Sequence, residues 1–339
     1  MAVTIKDVAK RAGLSLSTVS RALNQSGYVS AEAKHRIDAA IAELGYQPNW
    51  LARGLKGQSS RLVGLIVPEV SSLYDNLIIQ SVSAMLHANS YGMILCINNE
   101  DAEVDLGYLK VLQEKRVDGI IYVHPLHGSN SAYVRQLAQQ GMPIIELNRR
   151  CEEDILDGVL ADNVQSATQI TNYLIGLGHR RIGLIMGQTD LTTGQNRLTG
   201  YRYALSDAGT PIDPSLIRIG SFTQEHGEAG MHDLLQLAER PSAILAGSNR
   251  ILMGILKVLG EQGIHIPNDM SVAAFNDTEW LSIWNPPITT VDIATEEMAK
   301  LSVDLLLRRI SASSKENKPR TYLLSTSLIE RGSCAKLKS

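Results

Sequence analysis

Residues 16–24, LSTVSRALN, place short polar side chains and one arginine where they can meet a polyanion. At helical spacing Val19, Ala22 and Leu23 turn inward, which leaves Leu16, Ser17, Ser20, Arg21 and Asn24 outside. A helix that reads base edges in a major groove needs this composition: small polar groups and an arginine outward, apolar residues inward. Arg21 suits bidentate pairing with a guanine, typically worth ~1–3 kcal/mol of discrimination. Thr18, Ser20 and Asn24 suit phosphate oxygens, and Leu16 suits a thymine methyl. The same residues also fit a helix cap with a solvated surface, so the stretch alone leaves both readings open. Catalytic chemistry is harder to find. The eight histidines are scattered, and no H-E-x-x-H, C-x-x-C or G-x-S-x-G occurs. GLGHRRIG (176–183) has the glycines of a phosphate loop, but it follows a helix and precedes a strand, the reverse of a dinucleotide turn. It reads as a helix C-cap entering a strand. Neither a cofactor nor a metal is expected.

The elements around the stretch support the polyanion reading. Thr4 with Asp7 forms a capping box before IKDVAKRA, and Gly13 ends that helix. Ser30 caps AEAKHRIDAAIAEL, whose Ile37, Ala40, Ile41 and Leu44 form a stripe that Gly45 terminates. Helix, tight turn, helix, loop and helix within the first 46 residues predict a helix-turn-helix. Residues 1–61 hold nine Lys/Arg against four Asp/Glu, a surplus of +5, so the remainder of the chain carries −8 of the total −3. A basic head on an acidic body is a footprint of polyanion binding.

The remaining composition bounds the class. A chain of 339 residues with 44% hydrophobic and 20% charged residues predicts two or three globular domains. No apolar run is long enough to span a membrane, and the first residues lack a signal peptide's apolar centre. Cys96, Cys151 and Cys334 are odd in number and widely spaced, as expected of thiols in a reducing cytosol. From Leu62 onward, apolar runs such as LVGLIV, DGIIYV, RIGLIM and MSVAAF alternate with amphipathic helices, which predicts an α/β body with doubly wound parallel sheets. A break near residue 162 divides it into two similar lobes, with a ligand expected beyond the strands' carboxyl ends. The expected layout is a head over 1–46, a linker over 47–60 and a body over 61–339. Lobe 1 takes about 61–161 plus 293–322, and lobe 2 about 162–292 plus 323–332. The segment TYLLSTSLIERGSCAKLKS reads as one strand and a frayed end, with no leucine heptads for tetramer formation.

TIKDVAKRAGLSLSTVSRALN, followed by YVSAEAKHRIDAAIAELGYQPNWLARGL, resembles the head of the lactose/galactose-repressor (LacI/GalR) family of bacterial transcription regulators. The likeness continues through EKRVDGIIYV, GLGHRRIGLIMG, NRLTGYRYAL, HIPNDMSVAAFND and NPPITTV. It implies a periplasmic-binding-protein-like body, a homodimer on pseudo-palindromic operator DNA, and a sugar-derived effector in the cleft. With Thr4 and Tyr28, the residues of the opening stretch make up the head's candidate DNA contacts. In the family, PNWLARGL folds as a hinge helix on DNA, which implies contacts from Asn49, Ala52 and Arg53 and a minor-groove wedge from Leu55. Gly54 and Trp50 depart from the usual pattern.

For the cleft, the resemblance implies Tyr74, Asp75, Thr193, Arg197, Phe222, Asn249, Asn276 and Trp280. Tyr74 keeps a stacking option, while Asp75 replaces a second ring, which argues against a purine. Trp280 reads as a sugar-stacking face or as a core aromatic. Asn276 and Arg250 stand where aspartates are common. Both replacements make the cleft less acidic and favour a sugar acid or sugar phosphate over a neutral sugar, although Arg250 also reads as a surface residue. The protein is expected in the cytoplasm, associated with the nucleoid. Two rival readings stand beside this one. A cytoplasmic sugar-binding module would leave the head silent, and a sugar-active enzyme would need paired carboxylates, for which Asp75 and Asp162 are the candidates.

Overall fold

The computed structural model describes residues 3–24, 27–46, 59–125, 129–150, 155–311 and 318–337. The chain divides into two units, Met1–Ser60 and Arg61–Ser339. The first unit contains helices α1 (Ile5–Ala12), α2 (Leu16–Asn24) and α3 (Ala31–Leu44). At the start of α1 the Thr4 N–H and hydroxyl both donate to the Asp7 carboxylate, at 2.8 and 2.7 Å. These bonds hold the Asp7 carboxyl below the usual carboxylate range. Gly13, with φ +63°, turns the chain from α1 toward α2. Val8, Ala9, Ala12, Val19, Ile37 and Ala40 form a small buried core. Arg36 of α3 donates to the Ala12 carbonyl at 2.6 Å, and Arg11 pairs with Glu43, so two head cations are engaged internally.

The second unit carries two six-stranded sheets. Its elements in chain order are β1 (Leu62–Val67), α4 (Leu73–Ala88), β2 (Gly92–Ile97), α5 (Ala102–Glu114), β3 (Gly119–Tyr122), α6 (Ser131–Gln139), β4 (Ile144–Leu147), β5 (Asp157–Ala161), α7 (Asn163–Gly176), β6 (Ile182–Met186) and α8 (Thr192–Asp207). They continue as β7 (Ile217–Ile219), α9 (Gln224–Leu235), β8 (Ala243–Ala246), α10 (Asn249–Glu261), β9 (Ser271–Phe275), α11 (Glu279–Ile283), β10 (Thr289–Asp292), α12 (Thr295–Ser311), β11 (Thr321–Leu324) and β12 (Ser327–Ile329). Lobe 1 has strand order β11-β5-β4-β3-β1-β2, and lobe 2 has β12-β10-β9-β8-β6-β7. All pairings are parallel except β10 with β12.

The central strands are buried on both faces, so they read as continuous apolar runs. Val63, Leu65 and Val67 of β1 point into a core shared with α4 and α12, while Ile66 faces the opposite core over α5 and α6. Lobe 2 repeats this division. Ile185, Ile244 and Val272 pack under α9 and α10, whereas Leu184, Leu245 and Phe275 pack under α7 and α8.

Three features differ from the sequence-based expectation. Strand β7 is only three residues long, too short to display a period. The last segment is not one strand and a frayed end: β11 joins the lobe 1 sheet, β12 crosses to lobe 2, and the following residues pack down. There the Ser333 hydroxyl donates to the Val272 carbonyl at 2.6 Å, and the Leu337 N–H donates to the Leu177 carbonyl at 2.8 Å. The change of lobe therefore falls between Leu324 and Ser327 rather than at 322/323, because β11 keeps its ladder with β5 through Leu324. His179 of GLGHRRIG anchors that tail. Its ring nitrogens bond the Ser242 hydroxyl at 2.8 Å, the Ser271 hydroxyl at 3.0 Å and the Ala335 carbonyl at 3.1 Å.

Candidate functional site

Helix α2 presents two contrasting faces. Val19 is fully buried, and Ala22 and Leu23 pack against the same core. Leu16, Ser17 and Arg21 are exposed, with Leu16 38% accessible despite its apolar side chain. Ser15 caps the helix: its Oγ accepts from the Thr18 N–H at 3.1 Å and lies 2.8 Å from the hydroxyls of Ser17 and Thr18. The Thr18 hydroxyl is thus tied to the cap, and Thr18 and Ser20 are half-buried. The cap at Ser15 is legible as a serine one residue before the apolar period, but it was not among the residues singled out. Arg21 Nε donates to the Ser17 carbonyl at 3.3 Å, which lays the guanidinium along the outer face. Tyr28 is 89% exposed, whereas the Thr4 hydroxyl is engaged by Asp7. The side chain of Asn24 and all of Asn49, Trp50, Ala52, Arg53, Gly54 and Leu55 lie outside the described residues.

The second site is an open cleft between the lobes. Each sheet reverses its winding beside β1 or β6, and crevices open at such switch points beyond the strands' carboxyl ends. Tyr74 and Asp75 lie in the first turn of α4 after β1, where the Ser72 hydroxyl accepts the Asp75 N–H at 3.3 Å. Thr193 and Arg197 share one face of α8 after β6. Phe222 follows β7 and packs against Gly187, where a Cβ would lie 2.2 Å from its ring. Asn249 opens α10 after β8, and Asn276 follows β9 with φ +68°. All seven line the cleft.

Trp280 does not line the cleft. It packs against the lobe 2 core and meets Trp284 edge-on at 5.8 Å, which makes it a core-side aromatic rather than a stacking platform. Asp162 accepts the Gln165 N–H at 2.8 Å as the cap of α7 and is not a cleft residue, so it offers no carboxylate partner for Asp75.

Arg197 organises the floor. Only 3% exposed, it donates from Nε to Asn163 Oδ1 at 2.8 Å, from Nη1 to the Gly247 carbonyl at 2.7 Å and from Nη2 to Asn276 Oδ1 at 2.9 Å. The guanidinium also lies over the Phe275 ring at 4.5 Å. Burial depresses its pKa to about 10, which leaves it charged at neutral pH. On the opposite wall, burial raises the Asp75 carboxyl to about 7, partly offset by Arg149 and by the Ser72 hydroxyl.

Sequence reasoning missed Glu69, Glu100, Asn148, Arg149 and Ser248, which also line the cleft. Arg149 Nη1 pairs with both Glu100 oxygens at 2.8 and 2.9 Å and donates to the His124 carbonyl at 3.0 Å. Burial raises the Glu100 carboxyl despite that pairing. Arg250 does face the cleft, but Glu69 of lobe 1 pairs with it across the mouth. The extra positive charge inferred from Arg250 is therefore neutralised within the protein. No periodic signal marks Glu69 or Arg149, since each sits in a loop after a strand and is placed by the sheet's winding.

A three-helix head whose α2 turns an arginine and small polar groups outward, in one chain with a two-lobed α/β body that holds a cleft, is the layout of a DNA-binding regulator. Residues 4–49 match the model of the bacterial regulatory proteins of the lacI family, and residues 171–334 match a periplasmic binding protein-like domain. The HTH-type transcriptional regulator RegA of Clostridium saccharobutylicum is 33% identical over 334 residues, 98% of this chain and 99% of that protein. The HTH-type transcriptional repressor PurR of Edwardsiella ictaluri is 32% identical, over 98% of this chain and 97% of that protein. Among solved structures, the Lac repressor dimer bound to operator and the anti-inducer ONPF superposes with a TM-score of 0.86 at 26% identity, covering 99% of this chain and 100% of that one. A transcriptional regulator CelR–cellobiose complex gives 0.73 at 31% identity, covering 98% and 99%. The chain belongs to the LacI family of transcriptional regulators, and its relatives are regulators rather than enzymes.

Proposed function

We propose that this regulator is a repressor that binds a pseudo-palindromic operator as a homodimer and holds a sugar-derived effector between its lobes. The exposed face of α2 carries the reading: Leu16, Ser17 and Arg21 stand outward on a helix whose Val19 is fully buried. Arg21 and Ser17 read base edges, Leu16 meets a thymine methyl, and Thr18, Ser20, Asn24, Thr4 and Tyr28 position the backbone. Residues 47–60 form the hinge, with Asn49, Ala52 and Arg53 against the groove and Leu55 as the wedge that kinks the centre of the site. The likeness to a Lac repressor dimer on operator supports the dimer, and the likeness to a cellobiose-bound regulator supports a saccharide-sized ligand. The effector meets Tyr74, Asp75, Thr193, Arg197, Phe222, Asn249 and Asn276, which gather at the cleft. Binding shifts the population between two arrangements of the lobes, and thereby the affinity for DNA. The protein works in the cytoplasm, on the nucleoid.

Fluorescence anisotropy on DNA upstream of the protein's own gene tests this reading. Specific affinity should fall steeply with salt and exceed that for random duplex by at least about 1000-fold. Arg21→Ala should weaken specific binding by about 10- to 100-fold, corresponding to ~1–3 kcal/mol. Equal affinity for random duplex, or no change in Arg21→Ala, would overturn it.

A further inference from the structure

The cleft's charges do not all find partners within the protein. Glu100 pairs with Arg149, and Glu69 pairs with Arg250. Arg197, the most deeply buried of the three cleft arginines, has no carboxylate within ion-pair distance among the described residues. Its bonds go to two amide oxygens and a backbone carbonyl, all neutral. A guanidinium carries five N–H groups, so one on Nη1 and one on Nη2 remain beyond those three bonds. Burying a cation without a counter-ion is costly unless a ligand supplies one. A second observation points to the same place from the other lobe. The Tyr74 hydroxyl is buried, with Tyr74 only 7% exposed, and has no hydrogen-bond partner among the described residues. Tyr74 and Arg197 line the same cleft, one from each lobe.

We propose that the effector carries a single carboxylate, which seats between the Tyr74 hydroxyl and the open N–H groups of Arg197. This makes it a monoanionic polyhydroxy acid rather than a neutral sugar. The inference rests on the cleft being the effector site, as argued above. Arg197 is the one cleft guanidinium with no carboxylate at ion-pair distance among the described residues, so it offers a place for one negative charge. The second charge of a phosphate would meet Asp75 and Glu100 with no further cation to receive it, because Arg149 and Arg250 are already paired.

Calorimetric titration and thermal melting of the full-length protein provide the test. The probes are D-gluconate, D-galactonate, D-glucuronate and D-galacturonate, set against D-glucose, D-galactose, their 6-phosphates and guanine. At least one acid should raise the melting temperature and bind about 10- to 100-fold more tightly than its neutral counterpart. Tyr74→Phe should lose about 10-fold of that affinity. Asn276→Asp should bring Arg197 its own carboxylate, stabilise the unliganded protein and abolish the preference for acids. Aspartate tolerates the left-handed backbone at 276 about as well as asparagine, so this variant should fold. The proposal is overturned if a neutral sugar, a sugar phosphate or guanine binds as tightly as the acids, or if none of the four acids binds. A neutral sugar whose binding is lost in Arg197→Gln would overturn the carboxylate and keep the cleft as the effector site. A ligand that alters DNA binding but ignores Arg197→Gln would overturn the cleft itself.

Discussion

Lobe 1 and lobe 2 share a six-stranded, doubly wound plan, yet the edges they turn toward the cleft carry opposite charge. Lobe 1 contributes Glu69, Asp75 and Glu100 with Arg149, whereas lobe 2 contributes Arg197 and Arg250 and, among the described residues lining the cleft, no carboxylate. The sheets have the same architecture, so this difference resides in the loops after the strands. Its consequence is an attraction across the mouth, where Glu69 of lobe 1 pairs with Arg250 of lobe 2. Similar folds at two ends of one chain can therefore hold complementary chemistry.

The largest way to break this contrast is to remove its centre. Arg197→Leu should leave the acceptors on Asn163, Gly247 and Asn276 without their donor, at a stability loss of about 3 kcal/mol in urea titration. Effector response in anisotropy should vanish with it. Gly187→Ala reshapes the lobe 2 wall alone. Its new methyl would lie 2.2 Å from the Phe222 ring, so Phe222 must shift, with an expected loss of about 2 kcal/mol and weaker effector binding by calorimetry. The bridge across the mouth is a smaller term, because both partners are partly exposed. A double-mutant cycle of Glu69→Gln and Arg250→Gln should give a coupling of roughly 0.5–1 kcal/mol that shrinks with added salt. Dyes on the two lobes should report a wider mean separation in either single variant.

A separate effect concerns pH on the lobe 1 side. The Asp75 carboxyl holds its proton in the folded chain up to about 7, mainly because it is buried. In the unfolded chain it releases that proton near the ordinary value, ~4. The stabilisation is therefore complete below ~4 and is lost as pH rises through about 7. Asp75→Asn should flatten the melting temperature over this window, and a variant curve parallel to the wild type would show that Asp75 is not its source. Arg149, Glu69 and Glu100, whose charges also act on Asp75, remain in that variant.

Periodic elements were readable from the chain, and irregular ones were not. The stripes of α1, α2 and α3 and the apolar runs of the central strands identify themselves, because burial selects residue type at fixed spacing. Tyr74, Asp75, Thr193, Arg197, Phe222, Asn249 and Asn276 were found through family resemblance, and all line the cleft. Trp280, open in sequence between a stacking face and a core aromatic, packs against the lobe 2 core, a choice no local pattern makes. Arg250 was located but its charge was misjudged, since its partner Glu69 is 181 residues away along the chain.

The sequence by itself determined the helix-turn-helix head, with its inward Val19 and outward Arg21, and the alternation that forces two parallel sheets. Both follow from local periods of apolar residues, which any chain must satisfy to bury them. Only the tertiary structure decided which cleft charges cancel. Winding brought Glu69 to Arg250 and Glu100 to Arg149 while leaving Arg197 with neutral partners. Those pairings depend on distances between loops far apart in sequence, and no local pattern encodes them.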